Sequence, residues 1–441
     1  MRSDSVDARR LRPTWLVVSL SLVCLLQAFA VGAGANASVS TRIPVPKGSP
    51  KIAQLEIAAI ACESPGTCTA GGTFYPKRGL TTGYPAIADE VQGTWRFDTR
   101  LSLPRDAVGG AVNGISCVSR VCTAVGDYFV HGAGVAFAAL GHSDRWGAAD
   151  RLPTPADAAP GSDDFSVLNS VACSSKRRCV AVGTYTKSGA TLSQQAFIAT
   201  DVSGRWSALE ARMPAVESTD GVLLAIACAL GGSVCVAVGF ARNSHGGNGP
   251  VAISYQQGSW STAVRVRTPR NGLAADTTQA ATRLDAVSCP SRAMCVAGGG
   301  YYTRDGAEGY LVTRRNGVWQ APYEAKLPRN ASKQGYAVIN SVACSHATYC
   351  QAGGTYFANT DKDGGLPVWF VYRSGTWSAG DLVQLPRAAL PSTEQMATVT
   401  AGACSIANTC ELVGTYVYEA GPLYPGFDSY SLASFGVEEP T

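Results

Sequence analysis

An all-β ring of seven four-stranded antiparallel sheets is predicted by three features of this 441-residue chain. Its cysteines fall into close pairs at a near-constant period. Each interval between pairs repeats the same order of apolar segments and turn residues. The seventh unit stops short of a full complement of strands, while an extended segment of the matching kind stands near the N-terminus.

The cysteines come first. Of 15, one (Cys24) lies in an N-terminal apolar stretch, and the other 14 pair as Cys62/Cys68, Cys117/Cys122, Cys173/Cys179, Cys228/Cys235, Cys289/Cys295, Cys344/Cys350 and Cys404/Cys410. The first member recurs after 55, 56, 55, 61, 55 and 60 residues, a period that calls for a repeat architecture. Structural zinc needs four ligands at each site. With only four histidines in the chain, the pairs read as local disulfides of an exported protein, each closing a loop of ~7 residues and stabilising by ~2 kcal/mol. Their expected role is to pin each hairpin locally.

Each unit is then read strand by strand. A β-rich segment ends in the first Cys, as in Leu168–Cys173, and the second Cys opens another, as in Cys179–Tyr185. A variable Gly-rich loop leads to a third segment such as Gly309–Thr313. A turn follows, with Gly two residues before Trp95, Trp206, Trp260, Trp319 and Trp377; Asp144 takes that place before Trp146. The fourth segment closes in Leu-Pro. Four strands per ~50 residues make a propeller blade, and near-continuous apolar runs fit sheets packed on both faces. The blades are expected near 50–104, 105–153, 154–214, 215–269, 270–328, 329–386 and 387–441. The segment 38–46 is expected to supply the last fourth strand and so remove an exposed edge. A linear β-solenoid is the rival.

Residues 1–37 read as a signal peptide: Arg9, Arg10 and Arg12, then an apolar run from Trp15 to Ala30, then Ala35-Asn36-Ala37 before a cut at Ser38. An uncleaved anchor is the alternative. Without those residues the chain has 32 basic and 30 acidic side chains, and it lacks the basic stripe that neutralises phosphates, so nucleic acid is not an expected partner. A secreted or cell-surface monomer with no membrane span after cleavage is expected.

The units resemble kelch-type repeats, in which an apolar run ends in a Gly doublet followed by an aromatic, a Trp and a Leu-Pro-Arg turn. Gly298-Gly299, Gly353-Gly354, Trp319, Trp377, Leu327-Pro328-Arg329 and Leu385-Pro386-Arg387 carry the likeness, and Gly71-Gly72 keeps it in the first unit. Single glycines, Gly126, Gly183, Gly239 and Gly414, stand in the other four. The paired Cys depart from an ordinary kelch repeat and suggest a secreted variety. The resemblance implies a fold and no activity. Gly-Thr-Trp at 93–95 and 375–377 is similar to the end of a sialidase Asp-box, but the Asp is missing.

Ligands of propellers gather where second-to-third-strand loops and inter-blade loops meet around the channel. That places His245, Arg304, Asp305, Glu308, Arg329, Asp361 and Asp363 as candidate binding residues, with Lys47, Arg105, Arg270, Arg329 and Arg387 as bases after inter-blade prolines. Asn359, Asp361 and Asp363 followed by Gly364 fit a calcium loop, although Phe370 replaces the Glu of an EF-hand; apart from that ion no cofactor is expected. No nucleophile elbow, zinc-protease motif or phosphate loop occurs. The reading is an extracellular propeller binding glycan or protein at the channel face without catalysis. The alternative is a secreted glycoside hydrolase or lyase using channel-face carboxylates.

Overall fold

Seven antiparallel sheets stand around a central channel in a computed structural model of the chain. It describes residues 40–50, 53–77, 82–142, 145–161, 165–189, 193–214, 217–243, 245–273, 281–333, 335–359, 365–387, 389, 391, 395–405, 409–424 and 427–439. The expected signal segment lies outside them.

Blade 1 comprises Gln54–Ser64, Thr67–Tyr75, Tyr84–Val91 and Thr94–Arg100, from the channel outward. Blade 3 is built alike, from Ser166–Ser175, Arg178–Lys187, Ser193–Val202 and Arg205–Glu210. Blades 2, 4, 5 and 6 keep the three inner strands but break the outer one in two. In blade 5, for example, Arg283–Ser291, Met294–Tyr302 and Ala307–Arg315 are edged by Val318–Trp319 and Tyr323–Glu324. The first strands of blades 2, 4 and 6 are Gly109–Val118, Glu217–Cys228 and Ala337–His346.

Local chemistry accounts for the plan. The Gly before Trp95, Trp206, Trp260, Trp319 and Trp377 sits in a two-residue turn with both backbones left-handed, such as Ser203 and Gly204 at φ 58° and 83°, the twist that suits a tight hairpin. The core lies between blades: Val182, Ile198, Leu223 and Val251 pack together from blades 3 and 4.

All seven expected disulfides form, each across the turn joining first and second strands, with Cα atoms 3.9–4.1 Å apart. Each pins its own hairpin, as expected, and three of them also reach beyond it. Cys235, Cys295 and Cys350 are buried, at 2%, 0% and 0% exposure. Each belongs to a core cluster that includes the preceding blade: Cys235 with Val180, Cys295 with Val236 and Cys350 with Val296. The reason is the strand's double-sided burial. The second strand is covered on both faces, so a sulfur opening it faces the neighbouring sheet and packs there as a small apolar group.

One device was not expected. Every first strand carries a β-bulge at the same place, with Ala58, Asn113, Asn169, Leu224, Asp285, Asn340 and Thr400 as the extra residues. They line the waist of the channel, a space of about 220 Å³. Bulge side chains reach the next sheet: Asn113 Nδ2 donates to the Leu168 carbonyl (3.1 Å), Asn169 to Leu223 (2.8 Å), Asn340 to Val399 (3.3 Å) and Thr400 Oγ1 to Ile57 (2.7 Å). The result is a partial girdle, a hydrogen bond from sheet to sheet at four of the seven seams, interrupted where the bulge residue is Ala58, Leu224 or Asp285.

Seven equivalent four-stranded blades closed by an N-terminal strand is an expectation the structure corrects. Six blades follow the full plan. The sheet after them has strands Thr398–Cys404, Cys410–Tyr424 and Phe427–Glu439; the last two run to 15 and 13 residues, against 8 to 10 for second and third strands elsewhere. Only Thr41 and Arg42 pair on its edge, with Gly436 and Phe435, and two residues do not make a closing strand. Pro44 and Pro46 explain the stop, since neither has an N–H to give a ladder. Ile43 turns instead into the core of blade 1 beside Leu55 and Phe74. Closure comes from within: besides the Thr400 bond, Trp95 Nε1 of blade 1 donates to the Glu411 carboxylate at 3.0 Å.

Candidate functional site

The disulfide turns mark one end of every sheet, so the second-to-third-strand connections lie at the other. At the disulfide end Cys235, Cys295 and Cys350 are enclosed between blades and offer no reactive group. On the second face burial raises the pKa of four carboxyl groups: Glu56, Asp127, Asp285 and Glu308. Asn113 opposes the effect by donating to Asp127 at 3.0 Å. Glu308 is raised further by Glu324 and Asp305, so blade 5 concentrates carboxylates.

The seam between blades 5 and 6 brings the most chemistry together. Asp285, the bulge residue of blade 5, accepts from Arg283 Nε at 2.7 Å. Burial pushes its carboxyl up to about 6 despite that cation. Its second oxygen is buried and makes no hydrogen bond, and neither does the buried Tyr310 hydroxyl. Arg283, Tyr302 and Tyr336 line a small cavity of about 50 Å³ with Gly300, Ala307 and Val338. Tyr336 is held there because its segment bridges to Ala307 of blade 5, and its ring packs 5.7 Å from Phe357. Tyr302 is 38% exposed beside this opening. An arginine and two phenols line this cavity and can present donors and aromatic faces to a small polar group, while Asp285, bonded to the arginine, lies on the channel lining.

Of the residues expected at the site, the structure puts Arg304, Asp305 and Glu308 on this face of blade 5. The Asp305 amide donates to Thr303 Oγ1, at 3.2 Å, and Glu308 pairs with Tyr301. Arg329 lies in the turn into blade 6, where the Ala331 amide meets the Pro328 carbonyl at 2.9 Å. His245 is on blade 4, its amide bonded to Asn243 Oδ1 at 2.9 Å, and so belongs to a different blade from the seam. Asp361 and Asp363 lie outside the described residues, and the Asn359 amide donates to the Asn330 carbonyl at 2.9 Å. Sequence reasoning missed Arg283, Asp285, Tyr302 and Tyr336. A signal for Asp285 existed: aligned on the bulges, the repeats place Asn or Thr at four of seven positions and an ionisable residue only here.

A cleft of about 470 Å³ opens on the disulfide face between blades 1 and 2. Its walls are charged, but Asp89 takes the Thr69 hydroxyl at 2.7 Å and Glu63 takes the Arg120 amide at 2.6 Å. Those carboxylates serve the hairpins. Among the described residues the one grouping of three potential metal ligands is Cys62, Cys68 and Glu411. It holds no metal-binding thiolate, because the two sulfurs form a disulfide.

No known protein family matches the chain, and no curated protein does; the kelch resemblance therefore gains no family match. Solved structures do match. An ulvan lyase of polysaccharide lyase family PL25 shares 10% identity at a TM-score of 0.52, over 88% of this chain and 95% of that one. The same kind of enzyme bound to -[GlcA(1-4)Rha3S]- gives 0.51 over 92% and 96%, again at 10% identity. An α-L-arabinanase from Penicillium chrysogenum gives 0.40 at 10% identity, over 90% and 97%. The protein is a disulfide-bonded β-propeller. Its seven disulfides fit an oxidising compartment, and no helix among the described residues is long and apolar enough to cross a membrane.

Proposed function

We propose that this protein is an exported glycan-binding propeller of secreted, kelch-like type that holds its ligand at the seam between blades 5 and 6. The observation that carries the reading is the Arg283–Asp285 pair, 2.7 Å apart, beside the exposed ring of Tyr302. A sugar offers hydroxyls that both donate and accept, and an apolar C–H face. Arg283, held by Asp285, answers the hydroxyls, and Tyr302 and Tyr336 answer the face. Arg304, Asp305 and Glu308 of blade 5 and Arg329 of the turn into blade 6 are assigned to outer contacts of the same ligand. Titration of the protein against a panel of oligosaccharides tests the reading. At least one is bound, and Arg283→Ala and Tyr302→Ala each weaken it about tenfold or more, on the order of 1.4 kcal/mol. A panel with no binder, or binding indifferent to both changes, overturns it.

A second reading, a carbohydrate-active enzyme, is favoured by the raised carboxyls Asp285 and Glu308, since a carboxyl whose proton is held more tightly than usual suits proton transfer to a leaving group. Polysaccharide cleavage that disappears in Asp285→Asn decides for it.

A further inference from the structure

The girdle makes Asp285 an anomaly. In blades 2, 3 and 6 and in the last sheet, the bulge residue gives a proton to the carbonyl that precedes the next bulge. Counted the same way, the carbonyl facing Asp285 is that of Ile339, the residue before the blade 6 bulge. An ionised carboxylate has no proton to give, and two oxygens in a buried seam repel each other. The Asp285 oxygen not taken by Arg283 is buried without a hydrogen bond. The groups that bear on Asp285 are Arg283 from its own strand, Tyr310 from the third strand of blade 5 and Tyr336 from the entry to blade 6. Of these only Arg283 is charged.

We propose that the seam site takes a carboxylate-bearing sugar and that protonation of Asp285 gates it. With a proton on its free oxygen, Asp285 donates to the Ile339 carbonyl and completes the girdle between blades 5 and 6. Arg283 then carries an uncompensated positive charge toward the cavity and pairs with the sugar carboxylate. Ionised, Asp285 neutralises Arg283 and repels that ligand. Burial sets the gate in mildly acidic solution, because it lifts this carboxyl to about 6. Arg283 is accessible to a ligand, with 44% of its side chain exposed.

The inference rests on the glycan-binding reading, and its test separates the two. An oligogalacturonate, ionised throughout, and its neutral methyl ester are titrated into the protein at about pH 5 and about pH 7.5. The acidic sugar is expected to bind up to about 30-fold more tightly at the lower pH, the limit for one group titrating near 6, and the ester to show no such change. Asp285→Asn, neutral and able to donate, binds the acidic sugar at both pH values as the unaltered protein does at the lower one. Equal wild-type affinities, or a pH dependence that survives in Asp285→Asn, overturn the gate. If neither sugar binds, the assignment to a carboxylate-bearing sugar of this kind fails, the wider glycan reading stays with the oligosaccharide panel, and the gate is read from unfolding. Stability of the wild-type protein must then rise relative to Asp285→Asn between about pH 7.5 and about pH 5, and a constant difference overturns it.

Discussion

Thr400 donates its hydroxyl to the main-chain carbonyl of Ile57 at 2.7 Å, 343 residues away in sequence, and so joins the last sheet to the first blade. The same hydroxyl lies 3.2 Å from the Val413 carbonyl. A propeller is only as cooperative as its joint, because every other seam links sheets that are neighbours in the chain. Thr400→Val keeps the shape and removes the donor, so urea unfolding should show a loss of about 1–2 kcal/mol. Thr400→Ser should recover most of it. Equal stability of the valine variant and the parent would show that the joint is held by packing alone.

Trp95 and Glu411 hold the same joint at the disulfide end. The indole donates to a carboxylate that is 4% exposed. Trp95→Phe preserves much of the ring contact but withdraws a donor from a buried charge, a change worth about 1–3 kcal/mol. Trp95→Phe combined with Glu411→Leu should cost less than the two single changes added together, as measured in a double-mutant cycle. Additive losses would mean that the two residues stabilise the fold independently.

The bulges leave their mark on the opposite strand. Gly183 pairs with Leu168 just before the Asn169 bulge, and a Cβ there would run into the Val167 carbonyl. The carbonyl cannot yield without undoing the bulge, so Gly183→Ala should destabilise by about 3 kcal/mol. Gly147, whose added Cβ would meet nothing closer than 3.5 Å, is the control; Gly147→Ala should stay within about 0.5 kcal/mol. Similar thermal midpoints for the two variants would contradict the argument.

Much of the architecture could be read from single residues whose chemistry admits few solutions. Cys173 and Cys179 required a hairpin between them, and Ser203-Gly204 before Arg205-Trp206 required a tight one. What the spacing could not tell is which way a sulfur faces, so the packing of Cys235, Cys295 and Cys350 against the preceding blade stayed hidden. The bulge at Asn169 was not legible, because an extra residue in an apolar strand changes no composition; its trace was Gly183 on the partner, which reads equally well as a packing glycine. The closing strand failed for a reason that was in view: Pro44 and Pro46 cannot extend a ladder past Arg42. The seam site was illegible for another cause. Loop charges such as Arg304 announce themselves, whereas Arg283 and Asp285 sit inside a strand, Arg283 lining the small cavity and Asp285 placed on the channel by a bulge that leaves no trace in the sequence.

Blade 3 carries an ion-pair cluster whose contribution can be bounded. Lys187 Nζ lies 2.8 Å from Asp157 Oδ2 and 2.7 Å from Glu210 Oε2, and the Tyr185 hydroxyl donates to Asp157 Oδ1 at 2.9 Å. The Lys187 hydrogen bond holds the Asp157 carboxyl below the usual carboxylate range, and the same contacts raise the lysine. All three charged side chains are about a third exposed or more, at 33%, 40% and 36%. Solvent therefore screens the cluster, and Lys187→Met should cost less than about 1 kcal/mol. The sign of its pH dependence follows from Asp157. Its depressed folded-state value means the stabilisation is present once pH exceeds the ordinary carboxyl value and is lost as pH falls through the folded one. On the alkaline side the raised lysine keeps its share until pH climbs through its own folded value. Urea unfolding of parent and variant should accordingly differ at neutral pH, converge in strong acid, and converge also at high salt. A difference that persists in acid would assign the effect to the aliphatic stem of Lys187 packing on its neighbours, and not to its charge.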